Sequence, residues 1–477
     1  MSNIFILMAP EGALFLIILF LFVASALGHK ASTSKMLLVH RWLPVAAAVL
    51  LAITLSTLSL PQTSLFSGSY EIDLVSQFFK MAVAAGFLFV TLNEINSVSL
   101  DREVENDYFL FMAFSAWGLM LLASAAELVV LFLALELSSY SLCILIPLRA
   151  TSRRSAEAGA KYLLYGAAAT ALSLYGLSHI IATQHTTYIA ELATMDWSFA
   201  SNPEAVLGLA LFLCGIFYKL ALFPFHFWCP DVYQGARNET AAYVATLPKL
   251  GGIVILIRLS LFLTPGLEIT NALAAMAFIS MTYGNLCALA QKDLKRLLGF
   301  SSVAHAGYIM VGIIVGTAQG IAAASFYALA YIIMNLLCFW VISRIATDGR
   351  NLTLNDLNGL YRRSPILAFS LAVGAFSLVG LPPTIGFAGK LFLIFSAWDH
   401  GYNWLVIALV VNSAIAIWYY LNLVRHAYTE ERAPTETQDS SILANVGALT
   451  LSALALLLGV LPTYVFDLAL KAASALR

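Results

Sequence analysis

The chain has 477 residues, 61% of them hydrophobic and only 11% charged, far more apolar surface than a soluble core can hide, so it reads as an integral membrane protein. A formal net charge of -1 supplies no concentrated basic face and excludes a polyanionic partner such as nucleic acid. The five cysteines lie in apolar stretches without CxxC spacing and read as small buried residues, not as a disulfide, zinc or iron–sulfur framework.

Windows of roughly 20 apolar residues predict about fourteen spans, near 10–28, 42–60, 74–96, 108–125, 127–147, 157–182, 205–223, 241–263, 271–290, 297–316, 320–343, 365–397, 403–424 and 441–465. Met1–Glu11 carries no Lys or Arg where a secretory signal would be basic, so the first span reads as a retained helix. Lys30, Lys35, Arg41, Arg102, Arg149, Arg153, Arg154, Arg237, Lys292, Lys295, Arg296, Arg344, Arg350, Arg362, Arg363, Arg425 and Arg432 all fall in connections that follow odd-numbered spans. Connections after even-numbered spans, such as Pro61–Asp73, Thr183–Glu204, Thr264–Asn271 and Asp399–Asn403, hold none. The positive-inside rule then places the basic connections in the cytoplasm and both termini outside, with the basic tail Lys471 and Arg477 as the exception. The longest connections, Thr183–Glu204 and Arg425–Ser440, are too short for a catalytic domain, so any chemistry takes place in the membrane.

Charged residues within the spans carry the functional signal, since a charge at the bilayer centre costs about 2.5–3.5 kcal/mol and usually pairs or lines an ion pathway. Glu136 sits near the middle of the fifth span, Lys219 in the seventh, Lys249 in the eighth and Lys390 in the twelfth. Lys219 is the expected partner of Glu136. Burial disfavours a charged ammonium and a neighbouring carboxylate favours it, so altering the Glu136–Lys219 separation would move a proton. Lys161 lies near the start of the sixth span and either belongs to this path or snorkels to the surface. Lys80 and Arg258 read as structural or interfacial. His226 is either a relay or a hydrogen-bond partner for broken backbone beside it. His305, central in the tenth span, is a neutral proton carrier or a satisfied core histidine. Tyr327, Tyr331 and Asn335 recur every four residues on one face of span eleven, as a packing stripe or as support for a water chain between Lys249 and Lys390.

Prolines interrupt two spans, at Phe223-Pro224-Phe225-His226-Phe227-Trp228-Cys229-Pro230 and at Gly380-Leu381-Pro382-Pro383-Thr384. Freed backbone at that depth is tolerated only where it is buried in protein or meets water. The interruptions lie an odd number of spans apart, which predicts two inverted repeats of five helices, spans 4–8 and 9–13. The lysine precedes the prolines in one and follows them in the other, as inversion requires. The predicted fold is therefore all-α and integral to the membrane: three N-terminal helices in residues 1–106, one repeat in 107–265, its inverted copy in 266–426, and a C-terminal helix with its preceding loop in 427–477.

The segments Lys219 through Ala236, Lys249-Leu-Gly-Gly252, Gln291 through Tyr308 and Gly380 through Lys390 resemble the antiporter-like subunits of respiratory complex I and of Mrp-type cation/proton antiporters. A fourteen-span length without a lateral C-terminal helix, and a lysine in the twelfth span, narrow the resemblance to one of the complex I subunits. The resemblance implies half-channels for proton input and output joined by a hydrophilic axis, with Glu136, Lys219, Lys249 and Lys390 as its acid and lysines. It implies a proton-translocating subunit of NADH:quinone oxidoreductase in a bacterial cytoplasmic membrane, with a second antiporter-like subunit, subunit M, and small hydrophobic subunits as neighbours. No cofactor motif appears in the chain, so flavin, iron–sulfur clusters and quinone are expected in partner subunits. The alternatives are a Mrp-type sodium/proton antiporter or a related ferredoxin- or hydrogenase-linked complex. After Gly235-Ala236 the chain departs from the family pattern, with Arg237-Asn-Glu-Thr240 where many relatives are proline-rich.

Overall fold

A computed structural model of the chain describes residues 4–28, 33–95, 100, 104–148, 152–263, 265–430 and 442–476. The basic residues Lys30, Arg102, Arg149, Arg432 and Arg477 lie outside the described residues, as do the side chains of Lys35 and Arg41. Helices α1 (Ile4–Leu7), α2 (Ala9–Gly28) and α3 (Thr33–Thr57) lead into a hairpin of β1 (Thr63–Leu65) and β2 (Tyr70–Ile72), antiparallel with Thr63 opposite Ile72. Then come α4 (Leu74–Glu94), α5 (Glu105–Ser124), α6 (Leu128–Leu145), α7 (Arg153–Gln184), α8 (Ile189–Leu192), α9 (Pro203–Leu220), α10 (Trp228–Gly235) and α11 (Asn238–Leu259). The second half holds α12 (Glu268–Leu289), α13 (Leu294–Ile314), α14 (Ala318–Ile345), α15 (Leu360–Arg363), α16 (Pro365–Val379), α17 (Ile385–Ala397), α18 (Asn403–Tyr428), α19 (Ile442–Val460) and α20 (Thr463–Ala475).

Among the described residues, 12 helices are long and apolar enough to cross a membrane, and Trp42–Thr57, Pro365–Val379 and Ile385–Ala397 are shorter apolar pieces. The chain is thus a multi-pass helical membrane protein. Side-chain oxygens start several helices: Asp73 Oδ1 accepts the Ser76 N–H at 2.7 Å while Ser76 Oγ accepts the Asp73 N–H at 3.1 Å, a capping box that satisfies two otherwise free donors. Ser152, Asp293 and Thr317 cap α7, α13 and α14 in the simpler one-sided way.

Every residue of α11 is buried, and α13 and α14 are nearly so. A helix without a solvent or lipid face must be enclosed by protein on all sides, so these three form the centre of the bundle. By contrast α7 turns Leu164 and Tyr175 outward. The connections gather at two ends. At the basic end Gln234 Nε2 donates to Asp293 Oδ2 at 3.1 Å and Asn351 Nδ2 to the Gln234 carbonyl at 2.8 Å. At the other, β2 bridges Ala125, Glu127 bridges Tyr188, and Tyr402 OH donates to Asn271 Oδ1 at 2.8 Å.

Both proline interruptions are present. α9 stops at Leu220 with Ala221 left-handed at φ 58°, and helix resumes only at Trp228. α16 stops at Val379 with Gly380 at φ 88°, a conformation glycine adopts freely, and helix resumes at Ile385. A Cβ on Gly386 would fall 1.7 Å from the Ser377 carbonyl oxygen, so only glycine lets α17 approach the end of α16. Two features depart from the sequence reading. The connection Pro61–Asp73 folds into a hairpin, and the last span ends at Val460 instead of 465 because Pro462 stops it and starts α20.

Candidate functional site

Glu136 lies on α6 and is 9% exposed. Its Oε1 accepts the hydroxyl of Thr170, on α7, at 2.9 Å. Lys219, in the last turn of α9, donates to Ser139 Oγ at 2.9 Å and lies 3.4 Å from Tyr162 OH. Among the described residues no ion pair within 4 Å joins Glu136 to Lys219, so the expected pairing is not a direct contact: the ammonium meets the Ser139 hydroxyl, which itself donates to the Leu135 carbonyl at 2.8 Å. A hydroxyl there satisfies the lysine without requiring both long side chains to meet. Glu136, Ser139, Tyr162 and Thr170 line one cavity of about 30 Å³, room for about one water on this measure.

Lys249 lies midway along α11, 3% exposed, and donates to the Ser302 carbonyl at 3.3 Å and to Ser302 Oγ. Ser302, on α13, also meets Tyr331 OH at 2.5 Å and Tyr233 OH at 3.1 Å. The ring of His305, one turn along α13, is 5.5 Å from the Tyr331 ring. Its Nδ1 bonds Tyr327 OH at 2.9 Å and its Nε2 Tyr420 OH at 3.2 Å, so a hydroxyl meets each ring nitrogen and either tautomer can be satisfied. Tyr308 packs edge-on to His305 at 5.4 Å, and Lys390 Nζ lies 4.7 Å above the Tyr308 ring. Lys390 donates to the Val379 and Leu378 carbonyls at 2.8 and 3.3 Å. These are the carbonyls freed where α16 breaks, and a cation at a helix C-terminus complements its dipole. The interruption in the backbone thus positions the lysine.

Lys249, His305 and Lys390 are brought into one continuous polar and aromatic array, and Glu136 with Lys219 into a second. Tyr327 and Tyr331 belong to the first, whereas Asn335 turns its amide back to the Tyr331 carbonyl of its own helix at 2.9 Å. Lys161 stands apart: it is half-exposed and paired at 2.7 Å with both Glu157 and Asp231, the latter also paired with Arg296. That ion cluster ties α10 to α7 and α13 and matches the snorkelling alternative. His226 is also separate, its ring packed against Phe223, Phe227 and Tyr283. Its one polar neighbour of note among the described residues is the Pro224 backbone of the interruption itself, which matches the expected hydrogen-bond partner of broken backbone, although neither ring nitrogen makes a hydrogen bond of good geometry. Ser280 Oγ accepts the Phe223 N–H at 3.0 Å.

Lys80 and Arg258, read as structural or interfacial, are each buried in an ion pair. Lys80 pairs with Glu11 and is fully buried, and Arg258 grips Asp73 through two nitrogens at 3.2 Å and the Ala123 carbonyl. Sequence reasoning missed Ser139, Thr170, Ser302, Tyr308 and Tyr420, because single hydroxyls in apolar spans carry no signal until packing joins them. Ser302 and Tyr308 do sit in the same motif as His305, and their helical spacing from it was the available clue. Among the described residues no group of three or more His, Cys, Asp or Glu side chains is placed to hold a metal.

Residues 125–416 match the family described as NADH:quinone oxidoreductase/Mrp antiporter, TM. The chain is 57% identical, over 98% of both chains, to a protein of Solidesulfovibrio magneticus named NADH-quinone oxidoreductase subunit N 2. It is 40% identical to one of the same name from Opitutus terrae, over 97% of this chain and 96% of that one. Its fold matches a chain of respiratory complex I from Thermus thermophilus with a TM-score of 0.82 at 32% identity, covering 96% of this chain and 98% of that one. A chain of the Mrp complex from Dietzia matches with a TM-score of 0.88 over 100% and 98% of the two chains, but at 20% identity, a likeness of fold alone.

Proposed function

Since this chain belongs to the NADH:quinone oxidoreductase/Mrp antiporter transmembrane family, and within it groups with the NADH-quinone oxidoreductase subunit N proteins, we propose that Glu136, Lys219, Lys249, His305 and Lys390 are the stations along which it passes protons. The chain is a proton-translocating membrane subunit of complex I. The Mrp alternative is not favoured, because identity is 57% to a subunit N protein and 20% to the Mrp chain. The observation that carries the assignment of Lys249, His305 and Lys390 is the contact series at the buried centre: Lys249 to Ser302, Ser302 to Tyr331, Tyr331 against His305, and His305 against Tyr308 beneath Lys390. Such groups are retained in a bilayer only where they pair or conduct.

In this reading Glu136 and Lys219 form the first switching pair. In the state described Lys219 donates to Ser139 and not to Glu136, so a movement of α6, α7 or α9 that brings carboxylate and ammonium together stabilises the ammonium and one that parts them releases the proton. Lys249 receives it, His305 hands it across the tyrosine cage, and Lys390 holds it beside the free carbonyls of α16. The two five-helix segments, 107–265 and 266–426, act as inverted copies, each with its interrupted helix carrying one lysine. Quinone reduction, flavin and iron–sulfur chemistry belong to partner polypeptides, with subunit M and small hydrophobic subunits as membrane neighbours. The basic end faces the cytoplasm of a bacterial cell, and both termini face outward.

The test is to replace Lys219 with Ala, and Glu136 with Gln, in the assembled complex reconstituted into liposomes. Loss of coupled turnover and pumping with retained assembly is expected. Unchanged rate and proton-to-electron ratio in both variants would refute the assignment.

A further inference from the structure

A second buried cluster lies at the basic end, apart from the stations above. Glu94, at the end of α4, is 2% exposed, and its Oε2 accepts from Arg237 at 3.1 Å. Arg237 itself is fully buried and also lies 3.5 Å from Glu239, at the start of α11. Its guanidinium stacks 5.0 Å from the Tyr108 ring of α5. From α14, Arg344 is committed to the end of α4, donating to the carbonyls of Ile95, Leu92 and Asn93 at 2.9, 3.0 and 3.3 Å. From α13, Lys295 donates to the Ala236 carbonyl at 2.7 Å. These are the charged groups that face the two carboxylates. Within the cluster the Glu94 carboxylate also meets the Tyr108 hydroxyl, while Glu94 Oε1 and Asn238 Oδ1 are buried without a hydrogen bond of good geometry among the described residues. A carboxylate oxygen this buried with incomplete hydrogen bonding is costly unless it takes a proton or a water.

We propose that Glu94 and Glu239, held on Arg237, form a proton-loading site that supplies Lys249 from the basic side, an inference that rests on Lys249 being a station. Two placements support it. On the outer side, Asn238 Nδ2 lies 3.4 and 3.5 Å from the Ala346 and Arg350 carbonyls, directly beneath the exposed residues Thr347, Asp348 and Arg350. On the inner side, Thr240 donates to Tyr108 OH at 3.2 Å, and Lys249 lies about 14 Å further along α11 at 1.5 Å per residue, with the Tyr243 and Thr246 hydroxyls between them bonded to the Met112 and Ala242 carbonyls. A carboxylate takes one proton from water at the basic surface. The neutral carboxyl gives that proton up when Lys249 is an uncharged amine, so charge is conserved and no co-reactant is needed.

The test uses the assembled complex in liposomes carrying Glu94→Gln, Glu239→Gln or Thr240→Val, with Lys249→Ala as a control and the initial pumping rate followed across a pH series. The expected result is a loss of about a hundredfold or more, the scale of a lost proton-transfer group. It should deepen as pH on the basic side rises and protons become scarce, whereas a merely structural role would move stability and leave the pH profile alone. Thr240→Val keeps the ion pairs, so it remains informative if the Gln variants fail to assemble: slowed pumping supports the proposal and wild-type pumping overturns it. Assembled Gln variants pumping at the wild-type rate at every pH also overturn it. If Lys249→Ala pumps normally as well, the underlying assignment of stations has failed and not this site alone.

Discussion

Replacing Ser302 with Ala isolates one link of the central array. Its hydroxyl is shared by Lys249 Nζ, Tyr331 OH and Tyr233 OH, and without it the ammonium keeps only the Ser302 carbonyl at 3.3 Å and the Tyr331 ring at 5.6 Å. A hydrogen bond to a charged group contributes about 1.5–3 kcal/mol. If that loss falls on the transfer step, where each 1.36 kcal/mol is tenfold, passage between Lys249 and Tyr331 slows about ten- to a hundredfold. The serine is fully buried and alanine removes only one atom, so assembly should survive. The assay is the initial rate of NADH-driven acidification in liposomes beside quinone-linked turnover, with Ser302→Thr as the hydroxyl-retaining control. Thr should preserve the rate. An assembled Ser302→Ala complex pumping like wild type would refute the claim that this hydroxyl carries the proton.

Other perturbations separate packing from conduction. His226→Phe should leave pumping within about twofold, since the ring sits among the aromatics Phe223, Phe227 and Tyr283 and the swap conserves volume and apolar contact; a large pumping defect in an assembled complex would restore it as a relay. Gly386→Ala should lower the yield of assembled complex, because its Cβ would fall 1.7 Å from the Ser377 oxygen, and blue-native electrophoresis measures this directly. Arg258→Ala leaves Asp73 buried without its cation, which costs about 3–5 kcal/mol, so the solubilised complex should dissociate at a lower temperature. Lys161→Ala breaks a half-exposed pair worth at most about 1 kcal/mol, and both dissociation temperature and pumping should stay close to wild type.

The parts of this site that were legible in the sequence are those that violate the rule of an apolar span. Glu136, Lys219, Lys249 and Lys390 stand out because charge in lipid is expensive, and the prolines beside Lys219 and Lys390 announce broken helices because proline removes a backbone donor. What escaped was pairing. Glu136 and Lys219 were expected to touch, yet Ser139 and Thr170 take up their hydrogen bonds, and hydroxyls at such positions look like any small residue of a membrane helix. His226 has the right chemistry in the right motif and Lys161 the right chemistry near the start of a span, but their neighbours across the bundle decide their surroundings. Those neighbours come from α12 and α10, remote in sequence from one or both of them. The hairpin after α3 and the final helix α20 lie at the ends of spans, where hydropathy fixes existence better than boundaries. The acid–base clusters of Glu94 with Arg237 and Asp73 with Arg258 join residues 143 and 185 positions apart, beyond the reach of any local pattern.

The most direct test of the whole account is the proton-to-electron ratio and coupled rate of the reconstituted complex carrying Lys249→Met, which keeps a long apolar stem at the centre of α11 but cannot hold a proton. The account predicts an assembled complex whose coupled turnover and pumping are lost together while electron transfer to a soluble acceptor continues. An assembled variant with wild-type rate and ratio would contradict it, for protons would then cross without the central lysine.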